Sequence, residues 1–291
     1  MHFWILALLV SLCFNCQGIL VDSKTINNAE NAFDLNMNDE SAAYIFEQSK
    51  ASDQIAIDNI ERETSQNEHF QKAWNKANGA MNCHIPKGLQ REHMVAVYTY
   101  TISGKFSRIF NDAVQQYGGS DTIYAEKFKF KAYHYLLTVT LEKLPKFSLK
   151  TSYRGINKMA YGKEGSEMRF GFFASSSLDE KVAFDFINKN LTANTLFKIH
   201  DIDGTLIQDC SANRTQQEVL IPPYRVFTIG ASETDYHGRN ISLTTKPEWK
   251  GIYVRLETDE SGNIIVRRSG SATLMAPSGL LLVTALVLVS G

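Results

Sequence analysis

The apolar pattern of this 291-residue chain changes period at Pro145, and that change limits the folds open to it. From about Ser41 to Leu144 the chain reads helical. Phe106, Ile109, Phe110, Ala113, Val114 and Tyr117 fall at three- and four-residue steps, one face of a helix, and Gly118-Gly119 stops it. Phe128, Ala132, Tyr135, Leu136 and Val139 repeat the pattern on the next segment. Both stripes read as faces laid on a core. After Pro145 the apolar residues come in short runs bounded by turns. Ser148 to Arg154, Glu167 to Ala174, Thr195 to His200, Glu218 to Ile221, Tyr224 to Ile229 and Gly251 to Glu257 read as strands. One helix, Asp179 to Ile187, interrupts them. Helices first and strands later predict an α+β fold, an N-terminal helical lobe followed by a C-terminal β-rich lobe.

The two ends read as processing signals rather than fold. Phe3 to about Phe14 is an apolar core of signal-peptide length, and Cys16 and Gly18 place small residues before a cleavage after Gly18. Ser269-Gly270-Ser271-Ala272 is a run of small residues, followed by a spacer and the apolar tail Leu280 to Val289. Small site, spacer and tail form the pattern of a glycolipid (GPI) anchor signal with attachment near Ser269 or Gly270. The tail is short for a bilayer span. The expected layout is therefore residues 1–18 as signal peptide, 19–258 as a single domain, 259–270 as a stalk and 271–291 as a removed anchor signal. An anchored extracellular protein is the preferred reading and a secreted one the alternative. The segment after Asp22 reads as a loose lead-in.

Two cysteines, Cys83 and Cys210, remain in the mature chain, an even number in an oxidising compartment. They either bridge or stay as two thiols. A bridge would close a long loop, worth about 4–5 kcal/mol in the chain-entropy model. Asn190, Asn213 and Asn240 each open an acceptor triplet for glycosylation. Net charge is −1 and no basic tract occurs, so a nucleic-acid partner has no electrostatic footprint. No glycine fingerprint or phosphate loop follows a strand, and no metal motif is present. Asp201-Ile202-Asp203-Gly204 opens like a calcium loop but lacks the later ligands, and reads as a turn.

Four polar residues stand out at the strand ends. Arg154 lies in Ser152-Tyr153-Arg154-Gly155, Ser175 in Phe173-Ala174-Ser175-Ser176-Ser177-Leu178, and Gln216 and Glu218 in Gln216-Gln217-Glu218-Val219-Leu220-Ile221-Pro222-Pro223. A guanidinium offers a two-pronged donor to phosphate or ribose oxygens. A carboxylate can stabilise positive charge that develops on a sugar. A serine can brace either one, and Ser176 and Ser177 leave the choice of serine open by one.

Arg, then Ser, then Glu in this order and spacing resembles the R-S-E class of animal ecto mono-ADP-ribosyltransferases. Arg169-Phe170-Gly171 and the stretch Phe128 to Leu137 add to the resemblance, which covers about Phe70 to Gly230. It implies two packed antiparallel sheets in the β-rich lobe, with NAD in a cleft as substrate rather than as a resident cofactor, and no metal. It implies Arg154, Ser175 and Glu218 as the catalytic set, with Glu218 beside the ribose. Gly155 is implied to approach the nicotinamide amide. An aromatic, Phe184 or Phe186, is implied to cover the nicotinamide. The cysteines do not sit where vertebrate members usually keep theirs, so no pairing carries over.

The departure is Gln216. Arginine-specific members carry a second glutamate there, which orients the acceptor guanidinium. Gln can hydrogen-bond but makes no ion pair and cannot act as a base. Three readings follow: transfer of ADP-ribose to an extracellular or surface protein, hydrolysis of NAD, or a catalytically silent surface protein that uses the fold for binding.

Overall fold

The computed structural model describes residues 32–102, 104–145, 151–187, 193–201, 204–236, 238–249 and 251–269. The signal-peptide and anchor-signal readings, and the Asn190 and Gly270 sites, lie outside them.

Two short strands, β1 (Phe33–Asp34) and β2 (Tyr44–Phe46), precede six helices: α1 (Lys50–Ser65), α2 (Glu68–Ala80), α3 (Arg91–Ile102), α4 (Gly104–Gln116), α5 (Asp121–Lys127) and α6 (Lys131–Lys143). Polar caps set several starts. The Ser49 hydroxyl accepts the Ser52 N–H, the Asn67 side chain accepts those of His69 and Phe70, and Ser120 accepts that of Ile123. α6 is capped from a distance: the Glu63 carboxylate accepts the N–H groups of Ala132 and Tyr133 at 2.8 and 3.2 Å. Burial pushes that carboxyl up to about 7. The α4 stripe is oriented as the period predicts. Phe106, Phe110, Ala113 and Val114 are buried, and Phe106 stacks on Phe70 with ring centroids 4.3 Å apart.

The β-rich lobe follows, as β3 (Thr151–Ile156), β4 (Ala160–Tyr161), β5 (Glu167–Met168), β6 (Ala174–Ser177), helix α7 (Glu180–Asp185), β7 (Thr195–His200), β8 (Thr205–Leu206), β9 (Glu218–Ile221), β10 (Arg225–Asp235), β11 (Gly238–Trp249), β12 (Ile252–Thr258) and β13 (Ile264–Arg268). The main sheet has the order β5-β10-β11-β7-β3-β6-β9-β8. The helical lobe followed by a β-rich lobe is the architecture expected from the sequence. The sheets, however, are mixed rather than antiparallel: β11 runs parallel to β7, and β2 parallel to β12. β2 enters from ahead of the helices and joins β12 and β13 in a second, three-stranded sheet. Val254, Leu256 and Ile264 share the helical core with Tyr44 and Phe46, while that sheet's other side chains Ala43, Ile45 and Tyr253 meet Tyr224.

Four further readings change. The helical stretch begins at Lys50, because Tyr44–Phe46 is recruited by β12. The lead-in contributes β1, which pairs with β4. The run Glu167 to Ala174 divides at Gly171, whose φ of +71° breaks the strand and whose missing Cβ leaves room for Asn38. The segment read as a stalk carries β13, so ordered pairing continues past residue 258 to Arg268. Its apolar Ile264 faces the helical core. Cys83 and Cys210 are bonded, joining the α2–α3 connection to the turn ahead of β9.

Candidate active site

Strands β3, β6 and β9 are consecutive neighbours in the main sheet, although long stretches of chain separate them. That adjacency brings Arg154, Ser175 and Glu218 together. Tyr153 pairs with Ser177, and Ser177 with Glu218. The three lie along a cleft of about 660 Å³ between the sheet and the helical lobe. Gly155 and Gln216 line it as well, as do Tyr100, Ser107, Arg108 and Asn111 on the helical side.

Arg154 is half-buried. Its Nη1 donates to the Ser175 carbonyl at 2.6 Å, and its guanidinium lies 5.7 and 5.5 Å from the ring centres of Phe170 and Phe172. The buried Nε has no partner. Burial lowers the guanidinium's pKa, against the opposing pull of Tyr100 and Glu218. The side chain is thus held by the protein on one edge, more enclosed than a simple surface clamp for phosphate.

Glu218 is 8% exposed. Burial raises its pKa above the usual carboxylate value; the Ser175 hydroxyl, the Arg154 charge and the Ser211 hydroxyl all pull it back down. Such a carboxylate is poorly solvated, so a positive charge arriving beside it is strongly favoured.

The neighbouring serines are otherwise engaged. The Ser176 hydroxyl is buried and hydrogen-bonds with Ser152 Oγ and the Val219 carbonyl, at 2.9 and 3.2 Å. That of Ser177 donates to the Gln216 carbonyl at 2.7 Å and accepts the Asp179 N–H. Ser175 lines the cleft with Arg154 and Glu218.

Gln216 ends a 3-10 turn, Arg214–Gln216, and Gln217 follows with φ +44°, ψ +48°. The left-handed residue reverses the chain between them, and both Gln216 and Glu218 come to line the cleft. Helix α7 lies beside β3, and its Phe186 lines the cleft at 57% exposure. Phe184 instead packs with Ala183, Ile187, Leu196 and Tyr153. Gly155 has a local structural cause: a Cβ there would sit 2.2 Å from the Ala183 carbonyl oxygen. The helical contributors Tyr100 and Asn111, and Ser211 beside Glu218, were not foreseen from the sequence. No local pattern distinguishes them.

Of the glycosylation candidates, Asn213 is exposed and its Oδ1 accepts the Thr215 N–H at 3.2 Å. Asn240 is half-buried and donates to Asp235. Ser269 is the last of the described residues, and its N–H donates to the Tyr253 carbonyl.

The family model described as NAD:arginine ADP-ribosyltransferase matches residues 28–250. The chain belongs to that family. Ecto-ADP-ribosyltransferase 5 of Bos taurus is 33% identical over 190 residues, covering 62% of this chain and 58% of that protein. The GPI-linked NAD(P)(+)–arginine ADP-ribosyltransferase 1 of Mus musculus is 29% identical over 228 residues, covering 75% and 68%. A crystal structure of a eukaryotic mono-ADP-ribosyltransferase aligns with a TM-score of 0.63 at 27% identity, covering 76% of this chain and 98% of that one. The chain spans a little over half the length of several of these curated relatives. Family membership agrees with the helical lobe and β-rich lobe around the cleft.

Proposed function

We propose that this protein cleaves the nicotinamide–ribose bond of NAD in the cleft and passes ADP-ribose to a side chain of an extracellular or surface protein. The observation that carries the reading is the meeting of Arg154, Ser175 and Glu218 on three adjacent strands along one cleft. In the proposed step the bond from ribose C1′ to nicotinamide breaks, and nicotinamide leaves neutral with the electron pair. The ribose gains oxocarbenium character, and the buried Glu218 carboxylate stabilises that charge. Ser175 holds the carboxylate, and Arg154 fixes the strand carrying Ser175 while its free guanidinium edge faces the dinucleotide. Phe186 covers the nicotinamide. An acceptor nitrogen, or water, then bonds to C1′ and loses its proton.

Gln216 supports a second reading. A neutral amide at the acceptor side of the cleft holds a guanidinium less firmly than a carboxylate would, so hydrolysis competes with transfer. The relatives' names support arginine as acceptor; Gln216 argues for water or another side chain. Incubation with labelled NAD, followed by separation of free from protein-bound label, distinguishes the two. Absence of nicotinamide release would leave a silent binding protein and remove the proposal.

The GPI-linked relative and the sequence signals support an extracellular protein on a lipid anchor at Ser269 or Gly270, with glycans on Asn190, Asn213 and Asn240. Release from the cell surface by a phosphatidylinositol-specific phospholipase is the expected result, and retention after treatment would exclude the anchor.

A further inference from the structure

Helices α3 and α4 grip the sheet through the backbone of one residue, Phe173, just ahead of β6. The Tyr100 hydroxyl donates to the Phe173 carbonyl at 2.5 Å. Asn111 Nδ2 donates to the same oxygen at 3.0 Å and to the Tyr100 hydroxyl at 2.9 Å. The Phe173 N–H donates to Asn111 Oδ1 at 3.1 Å. Both polar groups of this residue are therefore satisfied by helical side chains instead of by the sheet ladder. One position on from Tyr100, the Thr101 hydroxyl accepts the N–H of Ala212, in the turn that leads to β9. Two adjacent residues at the end of α3 thus hold the entrances of the two strands that carry Ser175 and Glu218.

A buried core tyrosine needs only one acceptor for its hydroxyl. Here the bonds converge on the peptide two residues before Ser175, whose own carbonyl is held from the other side by Arg154. Tyr100 is buried, and burial pushes its pKa up to about 12, so it is a neutral donor under ordinary conditions.

We propose that Tyr100 and Asn111 are positioning residues: by fixing the Phe173 backbone they set where β6 presents Ser175 beside Glu218 of the neighbouring β9. The catalytic consequence rests on the NAD-cleaving reading above; the positional claim does not.

The test is Tyr100→Phe in the full-length protein, which keeps the ring and removes the hydroxyl. For nicotinamide release from NAD, kcat should fall about tenfold, the worth of one such hydrogen bond, with KM for NAD essentially unchanged. The acid limb of the kcat profile should move to higher pH, because Ser175 no longer favours the charged carboxylate. The charged and titratable groups that line the cleft with that carboxylate are Tyr153 and Arg154 from β3, Tyr100 from α3 and, across the cleft, Arg108 from α4. The variant removes no charge among them. Asn111→Ala should lower kcat likewise. A carbon-13 NMR titration of the Glu218 carboxyl, without substrate, should rise in Tyr100→Phe. If kcat, the acid limb and that titration all stay at wild-type values, Tyr100 merely packs and the inference is overturned. A raised KM at unchanged kcat also overturns it, since the hydroxyl would then touch NAD. Should the wild type release no nicotinamide, the proposed function fails separately, and the NMR titration alone decides the positional claim.

Discussion

Glu218→Gln should make this protein more stable and inactive at once. The side chain is buried, and the net effect of its surroundings raises its pKa above that of the unfolded chain. Arg154 and the two serine hydroxyls are already counted in that net effect. A group whose folded pKa lies above its unfolded one stabilises the fold fully below the unfolded value, near 4.5 here, and loses that contribution as pH rises through the folded value. At neutral pH the wild type therefore bears the cost of a buried carboxylate. Gln has nearly the same shape without that charge. Each pKa unit corresponds to about 1.4 kcal/mol, and each kcal/mol to about 2–4 °C in Tm for a domain of this size. Calorimetry at neutral pH should show Glu218→Gln melting above wild type, and the gap should close in acid, where both side chains are neutral. Nicotinamide release should fall about 100- to 1000-fold, as for other single electrostatic stabilisers. A variant that melts lower at neutral pH, or a gap that does not narrow in acid, would refute the burial argument. Near-normal turnover would remove Glu218 from the mechanism.

Three other outcomes are expected. Gln216→Glu should raise ADP-ribose transfer to agmatine about tenfold, by replacing a neutral acceptor with a charged one, with nicotinamide release little changed; an efficient wild type and no gain in the variant would exclude Gln216 from acceptor choice. Replacing both Cys83 and Cys210 by serine opens a link across 127 residues. It should cost about 4–5 kcal/mol in a denaturant titration. Gly155→Ala places a Cβ 2.2 Å from the Ala183 carbonyl and 2.8 Å from Ile187 Cγ1. Displacement of α7 should cost about 1–3 kcal/mol and raise KM for NAD, because the helix carries Phe186; a normal KM would separate α7 from substrate binding.

The elements legible in the sequence are those whose burial follows a local period. The α4 stripe of Phe106, Phe110, Ala113 and Val114 is one, and the buried run Glu218–Ile221 is another. β2 is three residues long and wholly buried, so it has no alternation to read. β11 does alternate, Ile241 and Leu243 against Asn240, Ser242 and Thr244, but only over those few residues before Lys246 and Pro247, so the signal is short. It is held on one side by the antiparallel hairpin with β10 and on the other by parallel pairing with β7, a long-range contact. β13 follows a loop fixed by Asp259, which accepts the N–H groups of Ser261 and Asn263.

The site divides along the same line, for a reason that bears on its chemistry. Arg154, Ser175 and Glu218 stand out in the sequence because the proposed chemistry calls for particular side-chain types, and those three in order form the pattern that carries the family resemblance. Tyr100 and Asn111 act on a peptide group, and any strand residue supplies one. No residue type at position 173 would have pointed to them. The choice among Ser175, Ser176 and Ser177 was undecidable for a related reason: identical hydroxyls are told apart only by their partners, and those partners, Ser152, Val219 and Gln216, lie on other strands or in the turn before β9. Gln217 shows how such a constraint can hide in plain polar sequence. Its left-handed backbone is uncommon for a residue with a side chain, yet that backbone reverses the chain between Gln216 and Glu218, both of which line the cleft. A glycine at 217 would relieve the strain but loosen the turn.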